Sequence, residues 1–306
     1  MELNLRSWLQ AARPAAQINL ALPLVLGQLL AYKLNGAFSF AIALPLAYYS
    51  FAMHLYIVFW NDWADHQADR RNQYPTIFSG GSRVLPDGLL TPRDLFIAGA
   101  LAVFLVLSLG VVFTLKLDRP WTLLLFGAGT FLLWAYSIPP LRLNYRGGGE
   151  ILQGVGVGLL LPHIAYYAQN NIFTDSTYLL PYCLHQVAAA IAFNLPDTDA
   201  DKAAGKRTLA TLIGRKHAAE FTVFLGVISQ FILFFTTDPH GFILSSLNLP
   251  SLPLLLSFFI LPVLKAHKQT QTAEKKARKY TLLFTSLTIA TGVLYILGIF
   301  LSDKVQ

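Results

Sequence analysis

Nine apolar stretches, each about long enough to cross a lipid bilayer, recur along this chain. They cover 16–34, 39–61, 95–115, 121–139, 148–168, 177–196, 218–236, 242–264 and 281–301. A bilayer core about 30 Å thick takes roughly 20 residues of helix. Apolar residues make up 55% of the 306 positions, charged residues 13%, and mean hydropathy is +0.51. A water-facing globule cannot hide that much apolar surface, so lipid is the expected solvent. The expected fold class is all-α: a polytopic membrane protein of about nine transmembrane helices, forming one domain over 1–306. Pro250, Pro253 and Pro262 interrupt the eighth stretch, which is expected to kink or lie partly outside the membrane. The opening MELNLRSWLQAARP has no cleavable signal pattern, so the first stretch is expected to stay as a span. The lone cysteine, Cys183, excludes an internal disulfide framework.

The loops alternate in charge. Arg6 and Arg13 precede span one. Arg70, Arg71, Arg83 and Arg93 follow span two, and Arg142 and Arg146 follow span four. Lys202, Lys206, Arg207, Arg215 and Lys216 follow span six, and Lys265, Lys268, Lys275, Lys276, Arg278 and Lys279 follow span eight. Of the 23 Lys and Arg, only Lys33, Lys116, Arg119 and Lys304 fall on the other side. The positive-inside rule therefore places the chain as a multi-pass protein of the cell (inner) membrane, N-terminus cytoplasmic and C-terminus outside. Net charge is +7, but no contiguous basic face carries base-stacking aromatics, so nucleic acid is not an expected partner. Of the 16 acidic residues, only Asp118, Asp175, Asp238 and Asp303 lie outside the cytoplasmic side. Topology does not require acids there, so their placement points to function.

Two acidic clusters stand out. Span two ends in VFWNDWADHQADRRN, with Asn61, Asp65 and Asp69 at i, i+4 and i+8 and Asp62 three residues before Asp65. On a helix continuing past the membrane surface these share one face. Span six ends in FNLPDTDADKAAGKRTL, where Asn194, Asp197 and Asp201 fall at i, i+3 and i+7 and Asp199 points elsewhere. Stacked like charges repel and call for cations. Mg²⁺ typically takes one or two carboxylates, several waters and substrate phosphate oxygens. One such cluster reads equally well as an ordinary acidic helix end. Two, each led by Asn and trailed by basic residues, point to Asp62, Asp65, Asp69, Asp197 and Asp201 as catalytic, Mg²⁺-binding residues around a diphosphate. Asn61 and Asn194 stand ready to bind beside them. Gly80, Gly81 and Gly88 allow tight turns after the first cluster, where Arg83 is within bidentate reach of phosphate. Lys206 and Arg207 are similarly placed after the second.

These residues resemble the UbiA superfamily of intramembrane prenyltransferases. Asn61-Asp62-x-x-Asp65-x-x-x-Asp69 matches that family's first motif, and Asp197-x-x-x-Asp201 its second. AYSIPPLRLNYRGGGE, Ala135 to Glu150, resembles its segment between spans four and five, with Tyr136, Ser137 and a basic Arg142 where the family often has Lys. WLQAARP, GGSRVLPDGLLTP and GKRTLATLIGR are most similar to the branch that prenylates 1,4-dihydroxy-2-naphthoate, whereas YSIPPLRL is also common in chlorophyll and tocopherol branches. The first motif departs from the naphthoate branch in its strict third Asp, Asp69. The resemblance implies transfer of a prenyl group from a prenyl diphosphate to a small aromatic acceptor. It also implies Mg²⁺-assisted ionisation, a role for Tyr136, diphosphate binding by Arg83, Arg142 and Lys206, and a central cavity capped by cytosolic loops. The other acceptors left open are 4-hydroxybenzoate, a tetrapyrrole and a lipid.

An allylic cation needs aromatic faces and exclusion of water. Tyr56, Phe59, Trp60 and Tyr136 lie near the right depth, though any single one reads as packing. His163 and His185, inside spans, read as hydrogen-bonded packing residues rather than metal ligands. Gly154 and Gly158 read as a close helix contact. A cation-coupled transporter is the rival class, but transporters hold their ionisable groups near the midplane, and here both clusters close the cytoplasmic ends of spans.

Overall fold

The computed structural model describes residues 4–71 and 81–236, and among these every regular element is helical. Gly80, the eighth and ninth stretches, the basic loop between them and the C-terminus lie outside the described residues. Helix α1 (Leu5–Ala12) and a 3₁₀ turn (Pro14–Gln17) lead into α2 (Ile18–Asn35), then α3 (Phe40–Arg71), α4 (Pro92–Lys116) and α5 (Thr122–Ser137). Short α6 (Leu143–Arg146) precedes α7 (Gly149–Val155), a π-helical turn (Gly156–Leu160) and α8 (Leu161–Asn170), which form one continuous run. A 3₁₀ turn (Ser176–Tyr178), α9 (Leu180–Asn194), α10 (Thr198–Ala203), α11 (Leu209–Ile213) and α12 (Arg215–Thr236) follow. Each of the first seven apolar stretches falls on one of these long helices. Among the described residues, four runs are long and apolar enough to cross a membrane: Leu5–Asn35, Phe40–Arg70, Pro92–Lys116 and Gly149–Asn170. Thr122–Ser137 is a shorter apolar helix.

Local chemistry sets the helix ends. Thr91 caps α4 by accepting from the Asp94 backbone N–H while the Asp94 carboxylate accepts from Thr91, with Pro92 at the first helical position. Gly36, at φ +66°, ends α2. The expected continuation of α3 past its apolar stretch occurs: the helix runs without a break through Asn61, Asp62, Asp65 and Asp69. The second motif differs from the single helix face read in the sequence. Helix α9 ends at Asn194, and Asp197 stands just before α10. Pro196 has no N–H to give the preceding turn, so the helix breaks there.

Helix α3 is the central element. It packs along α4 and touches α2, α5, α8 and α10. In its upper half Tyr49 stacks on Phe126 of α5 at 3.9 Å, among fully buried Leu46, Phe113 and Ile164. The outer faces carry exposed Phe40, Leu101, Phe104, Leu115, Leu124 and Phe131, a surface suited to lipid. At the end of the bundle opposite the acidic clusters, Gln169 of α8 accepts from the Ser39 backbone N–H and donates to Gln28 of α2. Arg119 donates to the carbonyls of Ala168 and Gln169 at the end of α8.

The π-helical run and α9 meet through glycine, as the GxxxG spacing leads one to expect. A Cβ at Gly154 would overlap Val187, and one at Gly158 would overlap the Cys183 backbone. Backbone cannot step aside as a side chain can. Gly158→Ala is therefore expected to lower the thermal midpoint, at a cost of about 1–3 kcal/mol. Gly127→Ala, in α5 with open space around its Cα, is expected to be neutral or slightly stabilising. Equal midpoints for the two variants would remove the glycine contact as a packing determinant.

Candidate active site

A cavity of about 310 Å³ opens between α2, α3, α5, the α7–π run, α9 and α10. Its two ends differ in chemistry. Asn61, Asp65 and Asp69 of α3, Asn194, Asp197, Asp201 and Lys206 line one end. Leu20, Met53, Ile57, Leu132, Leu133, Val157, Leu160 and Leu161 supply apolar wall. The two clusters, far apart in sequence, thus face one space.

Lys206 joins them. Its Nζ donates to Asp65 Oδ2 at 2.9 Å and lies 3.3 Å from Asp201 Oδ1. Asp65 and Asp201 are buried, and the Lys206 side chain is 12% exposed. Burial opposes the ammonium, but the two carboxylates override it and hold the Lys206 pKa above the ordinary lysine range. Burial pushes the Asp201 carboxyl up to about 6, with Lys206 pulling it down and the Asp197 carboxylate pushing it further up. Gly205, at φ +79°, turns the chain back to aim Lys206 inward. The Lys206 Nζ also sits 5.3 Å from the Tyr145 ring centroid, with the Arg142 guanidinium 3.5 Å from the same ring.

The candidates divide by position. Asn61, Asp65, Asp69, Asp197, Asp201, Tyr136, Asn194 and Lys206 line the cavity. Asp62 does not: it is buried behind the wall, paired with Arg13 and accepting from the Ser82 backbone N–H at 3.1 Å. Arg83 donates to the Asp69 carbonyl and lies 3.5 Å from Asp87. Arg142 donates to the Ala64 carbonyl at 3.2 Å. Both arginines tie flanking segments to α3 outside the cavity lining. Ser137 donates to Asn61 Oδ1, and Gly81 presses against the Asp69 carboxylate so closely that a Cβ there would overlap it. Among the aromatics, Tyr56 donates to the Thr130 carbonyl, Phe59 packs on Trp8, and Trp60 stacks on Phe96; Tyr136 alone of the four lines the cavity. His163 is a hydrogen-bonded residue, with Nδ1 on the Leu159 carbonyl and Nε2 on Ser176.

Several site residues escaped the sequence reading. Arg13 lines the cavity, though its sequence position reads as topology. Glu150 is buried and accepts from Asn194 at 3.1 Å and from the Leu209 backbone at 2.8 Å, fixing the second motif to the segment behind it. The one available signal was an acid after three glycines at a helix start. His54, Asn19, Gln153 and Phe193 also line the cavity, and apolar runs hid them.

Among the described residues no group of three or more His, Cys, Asp or Glu side chains stands close enough to hold a metal by itself. The donor set still suits a hard cation shared with phosphate oxygens, which needs only one or two carboxylates. Asp65 Oδ1 is buried with no hydrogen-bond partner among the described residues, an open acceptor beside Asp69 and Asp201.

The chain matches the UbiA prenyltransferase family over residues 20–297, and it belongs to that family. It is a multi-pass membrane enzyme of the prenyl-transferring class. It is 27% identical over 232 residues to the 2-carboxy-1,4-naphthoquinone phytyltransferase of Synechocystis sp., covering 74% of this chain and 72% of that one. It is 30% identical to the 1,4-dihydroxy-2-naphthoate octaprenyltransferase of Bacillus subtilis over 101 residues, 32% of each chain. A UbiA homologue from Archaeoglobus fulgidus, solved bound to DMAPP and Mg²⁺, shares the fold at TM-score 0.69 and 16% identity, over 95% of this chain and 99% of that one.

Lys206→Met leaves Asp65 and Asp201 facing each other in a buried site. The expected result is a fall of about 3 kcal/mol in stability in metal-free detergent, read as a lower thermal midpoint. An unchanged midpoint would mean the bridge does not hold the two motifs together.

Proposed function

We propose that this enzyme moves a prenyl group from a prenyl diphosphate to a quinone-type aromatic acceptor of the 1,4-dihydroxy-2-naphthoate class, with Mg²⁺ bound at the two aspartate motifs. The observation that carries the reading is the single cavity in which both motifs converge on Lys206 at one end while apolar walls extend from it. The naphthoquinone and naphthoate activities named for two relatives support the acceptor class. We further read the chain as one domain over 1–306 of the cell (inner) membrane with nine spans, N-terminus cytoplasmic and C-terminus outside. On that reading the polar end of the cavity opens to the cytoplasm, where a water-soluble diphosphate headgroup arrives.

Asp65, Asp69, Asp197 and Asp201 are the carboxylates that would hold Mg²⁺, with Asp62 joining them by exchanging Arg13 for a cation. Bound Mg²⁺ supplies Lewis-acid neutralisation of charge on the leaving diphosphate. Lys206 and Arg13 add fixed positive charge at the same end, and Asn61 and Asn194 orient the headgroup. Arg83 and Arg142 reach a diphosphate only by leaving the Asp69 and Ala64 carbonyls. Tyr136 and Phe193 line the cavity, where aromatic rings stabilise positive charge growing on the allylic carbon. The leucine, isoleucine, methionine and valine walls exclude the water that would otherwise capture it.

Purified protein given a prenyl diphosphate, Mg²⁺ and an aromatic acceptor is expected to release pyrophosphate and form prenylated acceptor. Asp65→Ala and Asp197→Ala are each expected to cut that release at least about a hundredfold, near 3 kcal/mol in barrier. Wild-type release accompanied only by prenylated lipid would reassign the acceptor. Metal dependence should also titrate. Below about pH 6 the Asp201 carboxyl must give up a proton before it can bind a cation. The Mg²⁺ concentration for half-maximal release is therefore expected to climb more steeply as pH falls through 6, the proton on Asp201 adding up to about tenfold per pH unit. Asp201→Asn is expected to flatten that climb, and an equal climb in both proteins would take Asp201 out of the metal site.

A further inference from the structure

His54 lies on the cavity-lining face of α3, in register with Val58, Asn61 and Asp65. Seven residues before Asn61, it sits about 10 Å deeper along the helix, beyond the diphosphate end and level with the apolar walls. Its Nε2 lies 2.7 Å from the Ala12 carbonyl. A carbonyl oxygen carries no hydrogen, so Nε2 is the donor. In the neutral ring Nδ1 then holds the lone pair. The Ala12 carbonyl is the well-formed hydrogen-bond partner of the ring, the Arg13 carbonyl is a second backbone neighbour, the Arg13 guanidinium lies nearby, and the side chain lines the cavity. The end of α1 thus favours one tautomer of a histidine in the cavity wall, among Met53, Ile57 and Val58 of the same helix.

We propose that His54 is the general base that takes the phenolic proton of the aromatic acceptor. This rests on the proposed aromatic acceptor. The acceptor O–H gives its proton to Nδ1 as the prenyl C–O bond breaks, the electron pair of that bond leaving on the diphosphate. A ring carbon conjugated with the oxygen supplies the pair for the new C–C bond. That carbon then releases its proton to the departed diphosphate, or its carboxyl group as CO₂, and Nδ1–H returns the first proton to the oxygen. The carbonyl of Ala12 holds the imidazole in place and stabilises the charge it gains while protonated.

The test uses purified enzyme in nanodiscs with Mg²⁺, one prenyl diphosphate and a series of substituted 1-naphthols of graded acidity. His54→Gln keeps an N–H for the Ala12 carbonyl and removes the basic nitrogen. With a weakly acidic naphthol kcat/KM is expected to fall about a hundredfold. With a naphthol already ionised at the assay pH the loss is expected to vanish. The KM for prenyl diphosphate and its slow acceptor-free hydrolysis should not change. A loss of equal size across the series, or no loss with the weakly acidic member, would overturn the role of His54 while leaving the transferase reading intact. If His54→Gln lowers the thermal midpoint, the wild-type enzyme decides. With a built-in base its rate varies little with naphthol acidity, and a steep fall toward the less acidic members overturns the proposal. Wild-type enzyme that prenylates no naphthol in the series, yet releases pyrophosphate with a lipid acceptor, overturns both readings together.

Discussion

Two carboxylates buried on different helices share one ammonium, and the site takes its shape from that sharing. Lys206 lies within ion-pair distance of both Asp65 on α3 and Asp201 on α10. Neither carboxylate can be buried at such depth without a partner, because the desolvation of a charge outweighs what a single distant counterion returns. The segment 204–208 therefore has to fold back over the cavity, and the second motif has to approach the first. A buried ion pair of this kind adds little net stability compared with apolar packing. Its effect is to specify one arrangement: α10 can dock on α3 only where Lys206 satisfies both acids.

The surrounding scaffold repeats the same device at smaller scale. Asp62 holds Arg13 and Ser82 together, while Gln10 of α1 donates to the Ser82 carbonyl at 2.8 Å. Helix α1 and the segment after α3 are thereby fastened to the same turn of α3. Glu150 joins Asn194 to Leu209, fastening α9 and α11 to the start of α7. Charged and polar groups thus set position at the motif end of the bundle. Along the apolar length small residues do so: Gly27 against Pro162 and Gly158 against Cys183 bring backbones close enough to pack without a hydrophobic driving force. Polar junctions and glycine contacts serve the same end, fixing the positions of the helices that wall the chamber.

Much of this was legible in the sequence because it is periodic. Spans of about 20 apolar residues, basic loops on one side and acids at helical spacing are one-dimensional patterns, and the helices of residues 18–236 fall where those patterns put them. The convergence of Asp65, Asp69, Asp197 and Asp201 followed from the same reasoning. What the pattern did not carry is which polar group faces which. Asp62 and Asp65 both sit on the motif face, yet one turns to Arg13 and the other to Lys206. Arg83 reads as a phosphate ligand by nearness in sequence and Arg142 through the family resemblance, and in the structure each donates to a backbone carbonyl of α3. Pro196 breaks a helix that spacing alone would continue. His54, Asn19 and Gln153 lie within apolar runs, where a single polar residue has no periodic partner. Their role depends on contacts across the bundle, and those are decided by tertiary packing.

The charge balance of the chamber constrains what can enter it. Asp65, Asp69, Asp197 and Asp201 face a space to which Lys206 and Arg13 bring positive charge, and Arg13 is already engaged by Asp62. Carboxylate is in excess over free cation. A bare diphosphate would be repelled, since its own negative charges add to that excess in a medium where charges are poorly screened. A diphosphate carried in with a divalent cation reverses the sign of the encounter, because the cation is attracted to the carboxylates and the phosphate oxygens to Lys206. On the proposed function, Lys206, which bridges the motifs in the folded chain, would be the group that turns toward phosphate when cation and diphosphate bind. On the proposed reading, loading of metal and of substrate are a single electrostatic event, and neither motif can complete it without the other.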